Sequence, residues 1–297
     1  MHFPPLDPNY LLDQTHFRQT FNRVAAQNDT SDPLAHWVGN SLLERLEFLN
    51  FSPSQILDLG IGTGRIARGL SAHYPTAQIY AMYQDLTTFR KLSNLRAYQD
   101  LTTGRKLSNL RPYQDLTTFR KLSNLRAYQD AMQLPLADNS IDLLCSNLLL
   151  CWCNDQSQVL TEMRRVLKPD GKLLFTTLGP DTLKELRHSW AAVDSAIHVH
   201  HFWDLHQIGD WLLQLGFKTP VMDVDRVVQP YAEVPTLLRA LQHSGATNLT
   251  VGRRRQLTGK QKFQAMIAKY ESYRTAAGQI PATFEVVYGY ASGKRID

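Results

Sequence analysis

The amino-acid sequence predicts an α/β protein with a mostly parallel sheet covered by helices on both faces, and three observations carry that expectation. The first is Ile56-Leu-Asp-Leu59, a short apolar run that ends in Gly60-Ile-Gly62-Thr-Gly64 and passes directly into a helical pattern over 65–74. The second is the alternation of further apolar runs, at 77–82, 141–146 and 172–177, with helical patterns, the order produced by parallel strands joined through helices. The third is the placing of the glycines. A sharp turn at the end of a parallel strand, with backbone open to close approach, is where such sheets bind small molecules. The Gly60-x-Gly62-x-Gly64 spacing has no third glycine at the dinucleotide offset, and no Lys-Ser/Thr follows to hold a phosphate. Neither a nicotinamide fingerprint nor a phosphate loop fits.

The elements follow in order. Residues 17–26 and 33–49 read as helices ahead of the first strand, at 55–59. The glycine turn and the helix at 65–74 come next, Pro75 punctuates, and 77–82 is a second strand. In 155–167 the apolar side chains Val159, Leu160, Met163, Val166 and Leu167 share one helical face. Lys168-Pro-Asp-Gly171 reads as a turn before the strand at 172–177. Thr182-Leu-Lys-Glu185 has the form of a capping box and opens another helix. A helix at 206–215 is stopped by Gly216, a strand follows at 221–228, a long helix is expected over 258–274, and a closing strand over 283–290.

A chain of 297 residues accommodates one large α/β domain with additions, or two small ones. It holds no run of eighteen apolar residues, and its first residues do not have the form of a secretion signal, so a membrane span is not expected. Cys145, Cys151 and Cys153 match neither a disulfide framework nor a zinc site; a reduced, cytoplasmic setting and a buried apolar role are the expectation for them. The formal charge of +5 suggests a polyanionic partner only until it is located. Residues 83–127 carry nine basic and three acidic side chains, and the rest of the chain 23 basic against 24 acidic. The excess belongs to one segment, so nucleic-acid binding by the fold is not expected.

That segment is a tandem repeat. Tyr-Gln-Asp-Leu-Thr-Thr-Phe-Arg-Lys-Leu-Ser-Asn-Leu-Arg-Ala starts at Tyr83 and recurs at Tyr98 and Tyr113 with a period of 15, and a stub begins at Tyr128. The copies differ only at Phe89/Gly104/Phe119 and Ala97/Pro112/Ala127. Near-identity at so short a period points to recent duplication and not to a solenoid. Leu86, Phe89, Leu92 and Leu95 fall at helical spacing, so short helices, interrupted at Pro112, are expected to protrude from the domain.

Asp58-x-Gly60-x-Gly62-x-Gly64 resembles motif I of the class I S-adenosylmethionine-dependent methyltransferases. The stretch from Asp130-Ala-Met-Gln-Leu-Pro to Ile141-Asp142 resembles their motif II and the strand after it. Glu162-Met-Arg-Arg-Val-Leu-Lys-Pro-Asp-Gly-Lys-Leu-Leu-Phe-Thr-Thr177 resembles their post-motif region. Further along, Cys151-Trp-Cys-Asn154, Gly179-Pro-Asp-Thr-Leu-Lys-Glu-Leu-Arg187, Phe202-Trp-Asp-Leu-His206, Pro220-Val-Met-Asp223 and Pro281-Ala-Thr-Phe-Glu-Val-Val-Tyr-Gly289 look like the malonyl-acyl-carrier-protein O-methyltransferases of biotin synthesis. The resemblance spans about residues 15–82 and 128–291, nearly everything outside the repeat. Segments 179–187 and 281–289 discriminate best, because general methyltransferases share the rest.

The resemblance implies a Rossmann-like sandwich with a mostly parallel seven-stranded sheet, an N-terminal helical lid and a tandem-repeat insertion. In residue terms it implies a cap over 1–50 and a methyltransferase domain over 51–297, with 83–127 inserted. It implies S-adenosylmethionine as cofactor, held by Asp58, Gly60, Gly62, Gly64, Tyr83, Asp85, Asp130, Ala131 and Asn147. In the family the strand matching 77–82 ends in an acid that holds the ribose hydroxyls; here that position is Tyr83, with Asp85 two residues on. The family's tyrosine after the Ala25-Ala26 pair is Asn28 here. The implied reaction is methyl transfer to the free carboxylate of a malonyl thioester, on acyl-carrier protein or coenzyme A, with no membrane or nucleic-acid partner and no metal.

A malonyl carboxylate is ionised near neutral pH, so no general base is needed and no catalytic triad is assigned to the histidines. Trp152 is a candidate wall of the transfer site, with core packing as the competing reading. Arg187 is a candidate partner for the substrate carboxylate, because a guanidinium matches its shape, against an exposed helix residue. His198, His201 and His206 read as structural hydrogen-bonders. Arg253-Arg-Arg255 with Lys260 and Lys262 reads as a solvated cluster, with docking of an acidic carrier as the alternative. A methyltransferase for another small acid and a non-catalytic relative both stay open at this level.

Overall fold

A computed structural model of the chain describes residues 6–24, 32–60, 64–83, 126–128 and 131–293. Seven strands form one sheet in the order β3-β2-β1-β4-β5-β7-β6. They are β1 (Gln55–Leu59), β2 (Gln78–Tyr83), β3 (Arg126–Tyr128), β4 (Ile141–Ser146), β5 (Leu167–Leu178), β6 (Lys218–Tyr231) and β7 (Ile280–Ser292). The strands β3, β2, β1, β4 and β5 run parallel, while β7 lies antiparallel between β5 and β6. The chain order reverses between β1 and β4, and the carboxyl ends of those two strands flank the crevice where sheets of this kind take ligands.

The α-helices among the described residues are α1 (Gln14–Val24), α2 (Pro33–Glu44), α3 (Arg65–His73), α4 (Gln156–Val166), α5 (Lys184–Ala191), α6 (Leu205–Gln214), α7 (Val234–Ser244) and α8 (Lys260–Tyr270). Alternation along β1 sorts them onto two faces. Ile56 packs with Leu42, Ile66 and Leu70 of α2 and α3. Leu57 and Leu59 pack with Val159, Leu160 and Met163 of α4 and with Ile208, Trp211 and Leu212 of α6. A third apolar cluster joins α5, α7 and α8 to β7 through Leu186, Trp190, Leu237, Tyr270 and Val286.

Four local expectations are corrected. The turn at 168–171 lies within β5: Leu167 pairs with Ile141 and Lys172 with Leu143, so those four residues are looped out of an otherwise continuous ladder. The capping box at Thr182 and Glu185 does not form. Leu183, at φ 53, occupies the cap of α5, while Thr182 Oγ1 accepts from Glu285 N at 3.1 Å and Glu185 accepts from Thr283 N at 3.1 Å. Partners on β7 win over local capping because both side chains are buried there. The long helix over 258–274 is shorter, with α8 giving way to a 3-10 turn at Glu271–Tyr273. Helix α7 has no counterpart in the expected order. Of the repeat, only Tyr83 at the end of β2 and the stretch in β3 fall among the described residues, so the expected protruding helices lie outside them.

Gly289 shows why β7 needs a glycine. It pairs with Phe175 on β5, and a Cβ there would meet the Phe175 ring at 2.2 Å. Phe175 is fully buried, so its ring shifts only by displacing packed neighbours. Gly289→Ala is expected to lose about 1–3 kcal/mol of stability by overpacking, read as a lower urea midpoint at unchanged slope. An unchanged midpoint would place the ring elsewhere.

Candidate active site

The site is built at the carboxyl ends of β1, β4 and β5. Asp58 is the one charged residue of β1, and only 1% of it is exposed. Among the described residues neither carboxylate oxygen has a hydrogen-bond partner of good geometry. Burial pushes its pKa up to about 7, partly offset by the Ala67 N–H in the first turn of α3. Its neighbour across the β1–β4 ladder is Cys145, whose thiol is pushed well up by burial and then by the Asp58 charge. Gly60 leaves the strand at φ 83, and its N–H donates to Met82 O at 3.0 Å, closing the turn onto the end of β2. Gly64 caps α3 at φ 82.

On β4 the chain turns at Asn147 and Leu148. Asn147 Nδ2 donates to Ala35 O at 3.2 Å and its Oδ1 accepts from Thr176 Oγ1 at 2.8 Å, tying α2, β4 and β5 together. Ala131 is buried beside Leu134 and Met82. The segment after it is held by Glu162, which accepts from Leu134 N at 2.8 Å, and by Arg165, which reaches the carbonyls of Leu134 and Leu136. Of the remaining residues expected at the cofactor, Gly62, Asp85 and Asp130 lie outside the described residues. For Tyr83 the position is described at the end of β2, opposite Tyr128.

Beyond β5 lies a pocket of about 380 Å³ lined by Tyr10, Pro180, Arg187, Trp190, Asp194 and the loop through Phe202. The segments 179–187 and 281–289 meet at its edge. Gly179 N donates to Glu285 O at 2.8 Å, Leu183 N to Thr283 O at 2.6 Å, and Asp181 N to Glu285 Oε2 at 2.7 Å. Arg187 is half-buried, not an exposed helix residue. Its Nη1 donates to Pro180 O at 2.7 Å and its Nη2 to Thr182 O at 2.9 Å. His198 stacks face to face on Trp190, with ring centroids 3.9 Å apart, and its Nε2 lies 2.8 Å from Asp194. His200 sits edge-on to Trp152 at 5.3 Å and against Thr247 O at 2.7 Å, and burial lowers its pKa. Trp152, just past β4, thus joins the pocket wall to Phe17 of α1, at 6.1 Å.

The basic run is not a freely solvated cluster. Arg253 pairs with Asp13 at 3.1 Å, and Arg254 and Lys262 pair with Asp194 at 3.3 and 3.0 Å. The N-terminal segment is clipped to the same loop: Val251 N donates to Leu11 O at 2.7 Å, and the Asn154 side chain bonds both backbone groups of Leu12. Sequence reading missed Asp194 as the hub of these pairs; its partners lie 60 and 68 residues away. Cys145 and Cys151 are buried, as an apolar role requires, and Cys153 is partly so.

The mostly parallel sheet, with its glycine turn at the switch point and a buried acid before that turn, is the Rossmann-like sandwich of the class I, S-adenosylmethionine-dependent methyltransferases, and the comparisons place the chain in that class. Family models described as a methyltransferase domain match residues 57–175 and 117–245. The chain belongs to the malonyl-[acyl-carrier protein] O-methyltransferase family. It is 43% identical to the protein of that name from Laribacter hongkongensis, over 95% of this chain and 90% of the relative. It is 40% identical to that of Gallionella capsiferriformans over 95% and 91%, and 35% identical to one from Coxiella burnetii over 96% and 89%. Among solved structures, the YcgJ protein of Bacillus subtilis superposes with a TM-score of 0.56 at 13% identity, covering 88% of this chain and all of that one. The [4+2]-cyclase SpnF superposes at 0.54 with 15% identity over 98% of each chain. The likeness to a cyclase illustrates that the fold by itself does not name the reaction.

Proposed function

We propose that this chain transfers the methyl group of S-adenosylmethionine to the free carboxylate of a malonyl thioester carried on acyl-carrier protein, an early step of biotin synthesis. The observation that carries this reading is 43% identity over nearly the whole chain to a relative named for that reaction. The residues present suit the donor. A buried carboxylate with no counter-charge among the described residues is costly, and the cationic donor offers Asp58 one. Gly60 and Gly64 supply backbone that a side chain would obstruct, and Gly62, Tyr83, Asp85, Asp130, Ala131 and Asn147 complete the set proposed to hold it. When bound, the donor supplies an electrophilic methyl group. The protein's part is to orient the acceptor carboxylate in line and to exclude water, with no proton to remove. Residues 1–50 are proposed as a cap on the domain formed by 51–297, with 83–127 inserted. No helix among the described residues is long and apolar enough to cross a membrane.

The test is transfer of label from methyl-labelled donor to malonyl-acyl-carrier protein, followed by base hydrolysis of the product. Label is expected to leave as methanol, and the gene is expected to restore growth to a strain blocked at this step of biotin synthesis. Label that survives ester hydrolysis, as on nitrogen or carbon, or no transfer at all, overturns the reading.

A further inference from the structure

Among the described residues Arg187 is a cation without an anion: no carboxylate of theirs lies within ion-pair distance of it, and both of its neighbouring acids are engaged elsewhere. Asp181 pairs with Lys184 at 3.2 Å and with Arg226 at 3.4 Å. Asp194 pairs with His198, Lys262 and Arg254 at 2.8, 3.0 and 3.3 Å. Two of the guanidinium's donors are fixed by the carbonyls of Pro180 and Thr182, which sets the plane of the group. A guanidinium carries five N–H donors, so the remainder have no acceptor among the described residues, and the side chain lines the pocket. A half-buried cation held in one orientation and left without a counter-ion is arranged to receive one.

We propose that the pocket beyond β5 binds the free carboxylate of the acyl acceptor, with Arg187 as its anchor and the Trp190–His198 stack and Tyr10 as its walls. This deepens the reading of the acceptor as an acid and rests on it. The place suits the task. Pro180 follows directly on the end of β5, Arg187 stands on α5, which comes next, and His200, which also lines the pocket, touches Trp152 just past β4. The size also suits: about 380 Å³ holds a malonyl group with part of its thioester arm, and excludes a folded carrier protein. Two of the histidines do not compete for the anion. Burial lowers the pKa of His200, and burial followed by the Arg187 charge lowers that of His201, so both are neutral near pH 7. Burial also disfavours the charge on Arg187 itself, opposed by Tyr10 and Asp181, and an incoming carboxylate relieves that cost.

The anchoring segment is in turn positioned by β7. Asp181 N donates to Glu285 at 2.7 Å and the Glu185 carboxylate accepts from Thr283 N at 3.1 Å. These contacts fix the carbonyls of Pro180 and Thr182 on which the guanidinium rests. The 179–187 and 281–289 segments are thus joined by the bonds that hold the carbonyls beneath Arg187.

Binding separates this inference from the function itself. The protein saturated with S-adenosylhomocysteine is titrated calorimetrically with malonyl-pantetheine and with acetyl-pantetheine. These ligands differ in the carboxylate, and neither carries a phosphate. The parent is expected to bind the malonyl compound selectively. Arg187→Gln is expected to weaken it about 10- to 100-fold, with affinity for S-adenosylhomocysteine unchanged. Arg187→Lys, which keeps the charge but loses the fork, is expected to fall between them and carries the test if the glutamine variant does not fold. Failure of the parent to distinguish the two ligands, or an Arg187→Gln variant within about twofold of the parent, overturns the assignment. If malonyl-pantetheine binds through Arg187 but no methyl is transferred, the carboxylate pocket stands and the proposed reaction falls.

Discussion

Gly60→Val is expected to weaken S-adenosylmethionine binding by about two decades or more. Two costs combine at this position. The backbone sits at φ 83, a left-handed conformation that costs a β-branched residue about 1–3 kcal/mol. A Cβ would also meet Leu149 atoms at 3.1 to 3.3 Å, and Leu149 is buried against the core of the sheet, so overpacking adds about 1–3 kcal/mol. The turn relieves both by breaking the bond from Gly60 N to Met82 O, which moves the backbone proposed to face the cofactor. Each 1.4 kcal/mol that reaches binding is a factor of about ten. Calorimetric titration with S-adenosylmethionine measures the affinity, and urea unfolding shows how much of the strain appears as lost stability. Gly60→Ala adds less bulk and no β-branch, so it is expected to lose less. A folded Gly60→Val protein that binds like the parent would remove the glycine turn from the site.

The turn was legible in the sequence because local patterns specify it. An apolar run, an acid and spaced glycines record both the strand and the sharp exit from it. Helix α4 was legible for the same reason, its face being written in the spacing of Val159, Leu160 and Met163. Helix α7 has no such acid-and-glycine marker, and Pro235 falls at its start. In the structure it lies in the first turn of the helix, where a missing N–H costs nothing, and Val234, Leu237 and Leu241 form the buried face. The apparent capping box at Thr182 misled because two buried side chains found partners 103 and 98 residues away on β7. The pocket was the least legible feature. Arg187 was visible as a residue, but its lack of an anion depends on where Asp181 and Asp194 spend their charges. That is set by Arg226, Arg254 and Lys262, which are brought in by the fold.

Asp58 is expected to make the cofactor-free protein less stable as pH rises, opposite to the effect of a salt-bridged carboxylate. Its folded pKa is raised from 3.8 to about 7, by burial first. The folded state therefore holds a proton that the unfolded chain has already released. The resulting stability is present in full below about pH 4 and is lost as pH rises through about 7, by about 4 kcal/mol at most. Carboxylates with lowered values, Asp194 and Glu162 among them, work in the other direction near pH 4, so the comparison is between the parent and Asp58→Asn. The amide stays neutral, as the protonated acid does. The variant is expected to be more stable than the parent at pH 8 without ligand and to lack the decline between about pH 5 and 7. Binding reverses the ranking. A cationic donor favours the ionised acid, and at pH 6 only about a tenth of Asp58 is ionised, so donor affinity in the parent is expected to be about tenfold weaker there than at pH 8. Asp58→Asn should bind weakly at both values with little difference between them. Thermal unfolding from pH 5 to 8, with and without S-adenosylmethionine, reads both effects in one experiment. Parallel pH profiles for parent and variant would mean that Asp58 ionises freely in the folded protein and that its burial carries no such cost.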